Sequence, residues 1–486
     1  MNISDLSPAS VWKHFDALCS IPRPSGHEQR AVRYISDFAQ ARGLKWVIDE
    51  VGNIIVRKEA SVGLEGRKGV ILQSHIDMVP QKNEGSLHDF LTDPIIPYVD
   101  GEWVKARGTT LGADNGIGAA VALAVLEDRS MIHGPVEALF TVDEEAGMTG
   151  AKNFSAGMLT GKAFINLDTG HEEEIITGCA GGLDVTASIP VEYEQAAGST
   201  EFFLLSVNGL RGGHSGLDIN LGRANAIKVL VRALYKISGE LDIRISSIRG
   251  GSARNAIPRE AFCKLAVPKE RLEEFTRYIR QIEIEIKSEL SLTDPDLKIN
   301  IDISNQEHSA VMTPRSQLCL IRSLYACPDG VFRLSGKVPG IVETSGNLAI
   351  VNTGENTVEA QCLLRSLAGT AKDDLAAMVE STFKLAGADV RFDGEYPGWE
   401  PDPNSQLLGI MKKVYAETFG RDAVVNVVHA GLECGIIGAK YPDMEFVSVG
   451  PTIKYAHSPD ERLHIESVGR FWKILVTVLK LGLNSQ

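Results

Sequence analysis

Residues 69–77 read Gly-Val-Ile-Leu-Gln-Ser-His-Ile-Asp, a short apolar run that ends on a histidine and an aspartate. A run of that length, rich in branched side chains and bounded by glycine and charge, reads as a buried strand. Alternate residues of a strand share a face, so His75 and Asp77 project together from its end. Runs 53–57 and 136–142 have the same texture, and segment 116–126 between them is a small-residue stretch that predicts a helix able to pack closely on a sheet. Upstream, apolar residues recur at helical spacing over 9–20, and Ser25-Gly26-His27-Glu28 is a capping-box pattern that opens a helix running to about residue 43. This alternation predicts an α/β domain with a mixed or parallel sheet and its site at the strand ends.

Working outward, the texture changes near residue 185. Strand-like 201–207, helical 224–237, strand-like 242–248 and 261–267, helical 269–290 and strand-like 297–303 give a βαββαβ order. A second set follows through 315–326, 361–366, 373–386 and 389–392. Two ferredoxin-like halves inserted into the α/β domain are therefore expected. Segment 396–403 carries three prolines and a glycine and suits a return linker, before helices near 406–419 and 464–481. The expected division is a catalytic domain in two segments, 1–184 and 393–486, with an inserted α+β lid domain at 185–392. A length of 486 residues supports more than one core.

The formal net charge is −14, which speaks against binding nucleic acid or an anionic membrane, since both reward a Lys/Arg excess. The seven cysteines are odd in number and scattered without a CxxC pair, so reduced thiols are expected rather than disulfides or a thiolate zinc site. The opening Met-Asn-Ile-Ser-Asp-Leu-Ser-Pro has no basic stretch leading into an apolar run, and no run approaches a membrane span. A cytoplasmic protein is expected.

Five short elements carry chemistry. His75 and Asp77 suit a metal-ligating imidazole whose second ring N–H is held by a carboxylate, although a strand-end ion pair explains the same two residues. Asp114, in Gly112-Ala113-Asp114-Asn115-Gly116, reads alone as a helix cap. Asp143-Glu144-Glu145 crowds three acids past a strand, costly without a cation but also readable as a solvated loop. Asp168 ends Ile165-Asn166-Leu167-Asp168, and His457 sits in Ala456-His457-Ser458-Pro459-Asp460-Glu461; each has a plain turn reading. Among them His75, His457, Asp114, Glu144, Glu145 and Asp168 supply two imidazoles and four carboxylates, a donor set suited to zinc, manganese or cobalt. Two such ions sharing a carboxylate and a water form a known hydrolytic arrangement, with a spare carboxylate as base.

In this order the five elements resemble the dinuclear zinc exopeptidases of the glutamate-carboxypeptidase and carnosinase type, and among them the branch that cleaves Xaa-His and other dipeptides. Residues 21–28, 103–110 and 429–435 extend the resemblance nearly end to end. It implies two divalent ions, zinc first and manganese or cobalt as alternatives. His75 and Asp168 would hold one ion, Glu145 and His457 the other, and Asp114 would bridge them. Asp77 would orient His75, Glu144 would be the general base, and the Asp114–Asn115 peptide would be cis. The resemblance also implies a homodimer.

For the substrate, His214 in Gly212-Gly213-His214-Ser215-Gly216 lies among glycines that let a ligand come close, and the resemblance turns such a histidine toward the active site. Arg365 interrupts an apolar strand, and a buried arginine needs an anion; a dipeptide's free carboxylate is one, an internal salt bridge another. Asn255 is the second carboxylate candidate. An aminoacylase, tripeptidase or carboxypeptidase of the same group is the nearest rival, and a non-catalytic peptide-binding protein on the same fold is the reading from another class.

Overall fold

The computed structural model describes residues 2–304 and 310–483. It divides into two compact units: Met1–Gly178, Trp399–Val427 and Leu432–Gln486 form the first, Cys179–Gly398 and Val428–Gly431 the second.

The first unit is built on an eight-stranded mixed sheet. At its centre, Val136–Thr141, Val70–His75, Ala163–Asn166 and Glu445–Ser448 run parallel in that spatial order. Ile54–Lys58 and Lys45–Ile48 continue it antiparallel on one side. Val70–His75 and Val136–Thr141 are buried along their whole length, as a strand covered on both faces must be. The helix Ala113–Glu127 explains the burial on one face. Every residue in it from Asn115 to Leu126 is buried, and its Gly116, Gly118 and alanines remove the bulk that would hold it off the sheet. A smaller sheet pairs Ile453–Lys454, Arg462–His464, Trp103–Ala106 and Pro97–Asp100. The mixed α/β architecture expected from residues 69–77 is the one observed.

One local expectation fails. Ser25 and Glu28 do not form a capping box: the helix Gln29–Ala41 has no side-chain cap. Ser25 Oγ donates instead to Asp77 Oδ2 at 2.7 Å. Glu28 Oε1 accepts from the N–H groups of Gly26 and Asp143 at 2.7 and 3.2 Å. Both side chains serve tertiary partners, which outcompeted the local motif.

The second unit holds a nine-stranded sheet containing two ferredoxin-like halves. In the first, Thr200–Asn208, Arg244–Gly250, Ala261–Pro268 and Lys298–Ile303 stand in spatial order four-one-three-two, with helices Ala226–Ser238 and Leu272–Glu289 between them. The other half uses Gly181–Pro190, Val342–Thr353, Thr357–Ser366 and Asp389–Tyr396 in the same order, with helices Pro314–Ala326 and Gly369–Leu385. The halves are nested rather than tandem, because the first strand of the second half precedes the whole of the first half. Among the described residues, no helix is long and apolar enough to cross a membrane.

Candidate metal centre

Chain direction places the acidic and imidazole groups. His75 ends the strand Val70–His75, Glu144 and Glu145 follow Val136–Thr141, and Asp168 follows Ala163–Asn166. All three strands are parallel, so these groups gather at one sheet edge, beyond the carboxyl ends. Asp114 enters from the first turn of the core helix, and its peptide bond to Asn115 is cis. Asn115 Oδ1 accepts from the N–H of Gly118 at 3.0 Å, so Asn115 does the capping and leaves the Asp114 carboxylate free for other work. His457 arrives in the loop between Ile453–Lys454 and Arg462–His464. Asp143 and His457 both adopt left-handed backbone, with φ of 53° and 63°. That conformation costs a non-glycine residue about 1 kcal/mol or more and is held where the surroundings demand it.

The six side chains converge. His75 Nε2 lies 3.2 Å from Asp114 Oδ1 and 3.5 Å from Asp168 Oδ1. His457 Nε2 lies 3.2 Å from the other oxygen of Asp114 and 3.0 Å from Glu145 Oε1. His75 Nδ1 faces Asp77 Oδ1 at 3.1 Å. Asp77 also accepts the backbone N–H groups of Glu144 and Glu145, each at 3.1 Å, so one buried carboxylate orients the imidazole and the acidic turn together. Among the described residues, three donor sets each lie within 4.8 Å: His75, Asp114 and Asp168; His75, Glu144 and Glu145; and Asp114, Glu145 and His457.

The electrostatics follow from this crowding. Burial alone would lower the His75 imidazole, but Asp168, Asp114 and Asp77 hold it well above the usual histidine range. Hydrogen bonds to Asp114 and Glu145 hold His457 up at about 10. Burial opposes ionisation of Asp114, yet His457 and His75 keep its carboxyl far below the usual range. Asp77 is likewise held down by His75, Ser25 and the Glu144 N–H against the burial that would raise it. Burial pushes Asp168 up to about 7 despite the pull of His75. It pushes Glu144 well above the ordinary glutamate range, His75 again opposing.

These residues fit divalent cations. Among the described residues, the direct ion-pair partners of Asp114, Glu145 and Asp168 are His75 and His457 alone, and no lysine or arginine is in ion-pair contact with them. Oxygen and imidazole nitrogen donors around one carboxylate form a set that zinc, manganese or cobalt accepts.

The remaining three candidates belong to the second unit. His214 pairs with Ala256 in a two-residue ladder, and its Nδ1 accepts the N–H groups of Gly216 and Leu217 at 3.1 and 3.0 Å. That fixes the tautomer, leaving Nε2–H as a donor. Gly216 owes its identity to packing, since a Cβ there would stand 2.0 Å from the His429 carbonyl oxygen. Asn255 is next to the ladder, and its carbonyl accepts the N–H of Ser215 at 2.8 Å. Arg365 is buried opposite Ser345 and Gly182. One terminal nitrogen donates to Tyr396 Oη at 2.8 Å, while its buried Nε has no partner. Among the described residues no carboxylate forms an ion pair with Arg365, so the internal salt bridge does not materialise.

Sequence reasoning missed several residues that build the centre. Arg23 and Glu461 are buried beside the Asp114 turn, and buried Glu433 accepts from Gln73 Nε2 and Thr141 Oγ1 at 2.6 and 2.8 Å beneath the site. A charged residue in a loop-like stretch gives no sign of burial; Arg23, Glu433 and Glu461 stood out only by lying inside stretches already singled out.

Residues 71–481 match the sequence pattern of peptidase family M20/M25/M40. The chain is 46% identical over 478 residues, 98% of each chain, to the cytosol non-specific dipeptidase of Escherichia coli strain K12. The structure of aminoacylhistidine dipeptidase from Vibrio alginolyticus is 45% identical, superposes with a TM-score of 0.95, and the match covers 100% of this chain and 99% of that one. A more distant likeness, in fold alone, is to aminopeptidase PepT from Bacillus cereus, 17% identical with a TM-score of 0.58 over 98% of each chain.

Proposed function

The chain belongs to peptidase family M20/M25/M40, and from that membership we propose a dinuclear dipeptidase that hydrolyses Xaa-His and other dipeptides. As a member it is a metal-dependent hydrolase of peptide bonds. The observation that carries the dinuclear reading is Asp114, whose two carboxylate oxygens each face a different imidazole at 3.2 Å. On this reading His75 and Asp168 would hold one ion and Glu145 and His457 the other, with Asp114 serving both. Zinc is the first choice, manganese or cobalt the alternatives.

The bound ions supply Lewis acidity and a water of lowered pKa. Everything else falls to side chains. Asp77 holds His75 Nδ1–H and so keeps Nε2 directed at Asp114 and Asp168. Glu144 is the general base: its carboxyl, raised by burial, takes a proton from the attacking water and returns it to the leaving amine nitrogen. Arg365, with no ion-paired carboxylate among the described residues, would meet the dipeptide's terminal carboxylate, with Asn255 assisting. His214 Nε2–H donates to the carbonyl oxygen as negative charge develops on it. Recognition of both the carboxylate and the amine would explain a preference for dipeptides.

The sequence likeness to an enzyme described as a cytosol dipeptidase supports a cytoplasmic setting, and the family resemblance implies a homodimer, read by light scattering. The test is hydrolysis of carnosine and other Xaa-His dipeptides beside N-acyl amino acids and tripeptides, before and after chelation and readdition of each metal. Faster turnover of acyl amino acids or tripeptides would replace the dipeptidase with an aminoacylase or tripeptidase. Glu144→Gln should retain both ions and lose turnover by roughly 10²–10⁴-fold; near-normal turnover would remove Glu144 from the base role.

A further inference from the structure

Two oppositely charged side chains of the first unit, Arg23 and Glu461, are almost fully buried and touch neither each other nor the metal-binding atoms directly. They meet through one peptide. Glu461 Oε2 accepts the N–H groups of Leu111 and Gly112 at 2.7 and 2.9 Å, and Oε1 accepts those of Ala113 and Asp114 at 2.8 and 3.1 Å. Arg23 grips the other side of the same turn: its Nη2 donates to the Gly112 carbonyl at 2.6 Å. Its Nη1 donates to the carbonyls of Ile76 and Asp77, both at 3.0 Å. The Gly112 peptide units thus lie between an anion on their N–H side and a cation on their carbonyl side.

The connectivity gives this arrangement its meaning. Ile76 and Asp77 directly follow His75, Gly112 lies two residues before Asp114, and Glu461 lies four residues after His457. Three separate loops that deliver His75, Asp114 and His457 are bolted to one another by two side chains. The turn cannot move off them without leaving a buried charge unpaired, an expensive outcome in a low-dielectric interior. Space is closed as well, since a Cβ on Gly112 would stand 2.8 Å from Arg23 Nη2 and one on Gly116 2.4 Å from it.

We propose that Arg23 and Glu461 are positioning residues that hold the Asp114 carboxylate between His75 and His457 before any ion arrives. They make no contact with substrate and act through the backbone of residues 111–114. The proposal rests on the dinuclear reading above, and it deepens that reading by naming what fixes the spacing of the two halves of the centre.

The test compares zinc binding by the apo forms of wild type, Arg23→Lys, Glu461→Gln and Glu461→Asp, using a chromophoric chelator as competitor and circular dichroism to check folding. The expected result is two zinc ions per wild-type chain and a fall of tenfold or more in at least one affinity for Arg23→Lys and Glu461→Gln. Glu461→Asp should recover part of the loss. In the same variants kcat should fall while KM for a dipeptide stays within twofold. Folded variants with wild-type zinc affinities overturn the proposal, even if their melting temperatures drop. Should the variants not fold, hydrogen exchange in the wild type decides: amides 111–114 must be protected in the apo protein as in the zinc-loaded one, and rapid apo exchange overturns pre-positioning. Fewer than two zinc ions on the wild type would refute the dinuclear reading instead, leaving the clamp to be judged on the affinity that remains.

Discussion

At the scale of single residues, Asp77 does more than its place beside His75 implies. Its two oxygens together meet His75 Nδ1, the Ser25 hydroxyl and the N–H groups of Glu144 and Glu145. An amide at this position presents NH2 where an acceptor is required, whichever way it is flipped, so Asp77→Asn sets a donor against a donor. We expect a loss of 10–100-fold in metal affinity, the scale seen when a ligand's orienting partner is removed. Isothermal titration of the apo variant checks it, and an unchanged affinity would show that His75 needs no orienting carboxylate. The six acids and imidazoles stood out in the sequence by their joint occurrence in one order, several of them at strand ends, and their division into ligands and base came from the family resemblance. The duties of Ser25 and Glu28 were not. Their local pattern fits a capping box, while their real partners, Asp77 and Asp143, lie 52 and 115 positions away.

Among the elements, the helix Ala113–Glu127 is where close packing and chemistry meet. A Cβ added at Gly118 would fall 2.0 Å from Asn115 Oδ1 and 2.7 Å from the Leu167 carbonyl oxygen. These atoms adjoin Asp114 and Asp168 in the chain, so Gly118→Ala should displace both ligand segments. A destabilisation of about 1–3 kcal/mol is expected from overpacking, together with weaker zinc binding. Gly409, on the exposed side of the helix Gln406–Phe419 with nothing within 4 Å, is the contrasting case. Gly409→Ala should stabilise by about 0.5–1 kcal/mol through lost chain entropy, without altering zinc affinity. Urea unfolding of the two apo variants separates them, and equal effects would contradict the packing account. Elements of this kind were readable from periodicity and small-residue content. The nesting of the ferredoxin-like halves was not, because Gly181–Pro190 pairs with strands more than 150 residues later and its Asp184, Thr186 and Ser188 interrupt the apolar run.

For the molecule as a whole, acid should loosen the two units through different histidines. His14, in the first unit, is buried, and burial pushes its pKa down to about 4 despite the nearby Glu127. In the second unit burial, with Arg365 beside it, pushes His429 down to about 3. In both cases the folded state holds the ring neutral while the unfolded chain takes up a proton near pH 6.5, so unfolding binds protons and stability rises with pH across that window. The contribution of His14 is therefore complete above about pH 6.5 and lost as pH falls towards 4, on the order of 3 kcal/mol in all. The five tryptophans, Trp12, Trp46, Trp103, Trp399 and Trp472, all belong to the first unit, so their fluorescence reports unfolding of that unit alone. Asp168, raised to about 7, acts in the opposite sense over the same range, so the readout is a difference between proteins. In urea titrations from pH 6.5 to 4 the tryptophan-detected stability of the wild type should fall by about 3 kcal/mol relative to His14→Leu, and not relative to His429→Asn. Far-ultraviolet circular dichroism, which senses both units, should register the two substitutions alike. A His14→Leu protein whose tryptophan-detected stability followed pH in parallel with the wild type would show that this imidazole contributes nothing to the acid response of the first unit.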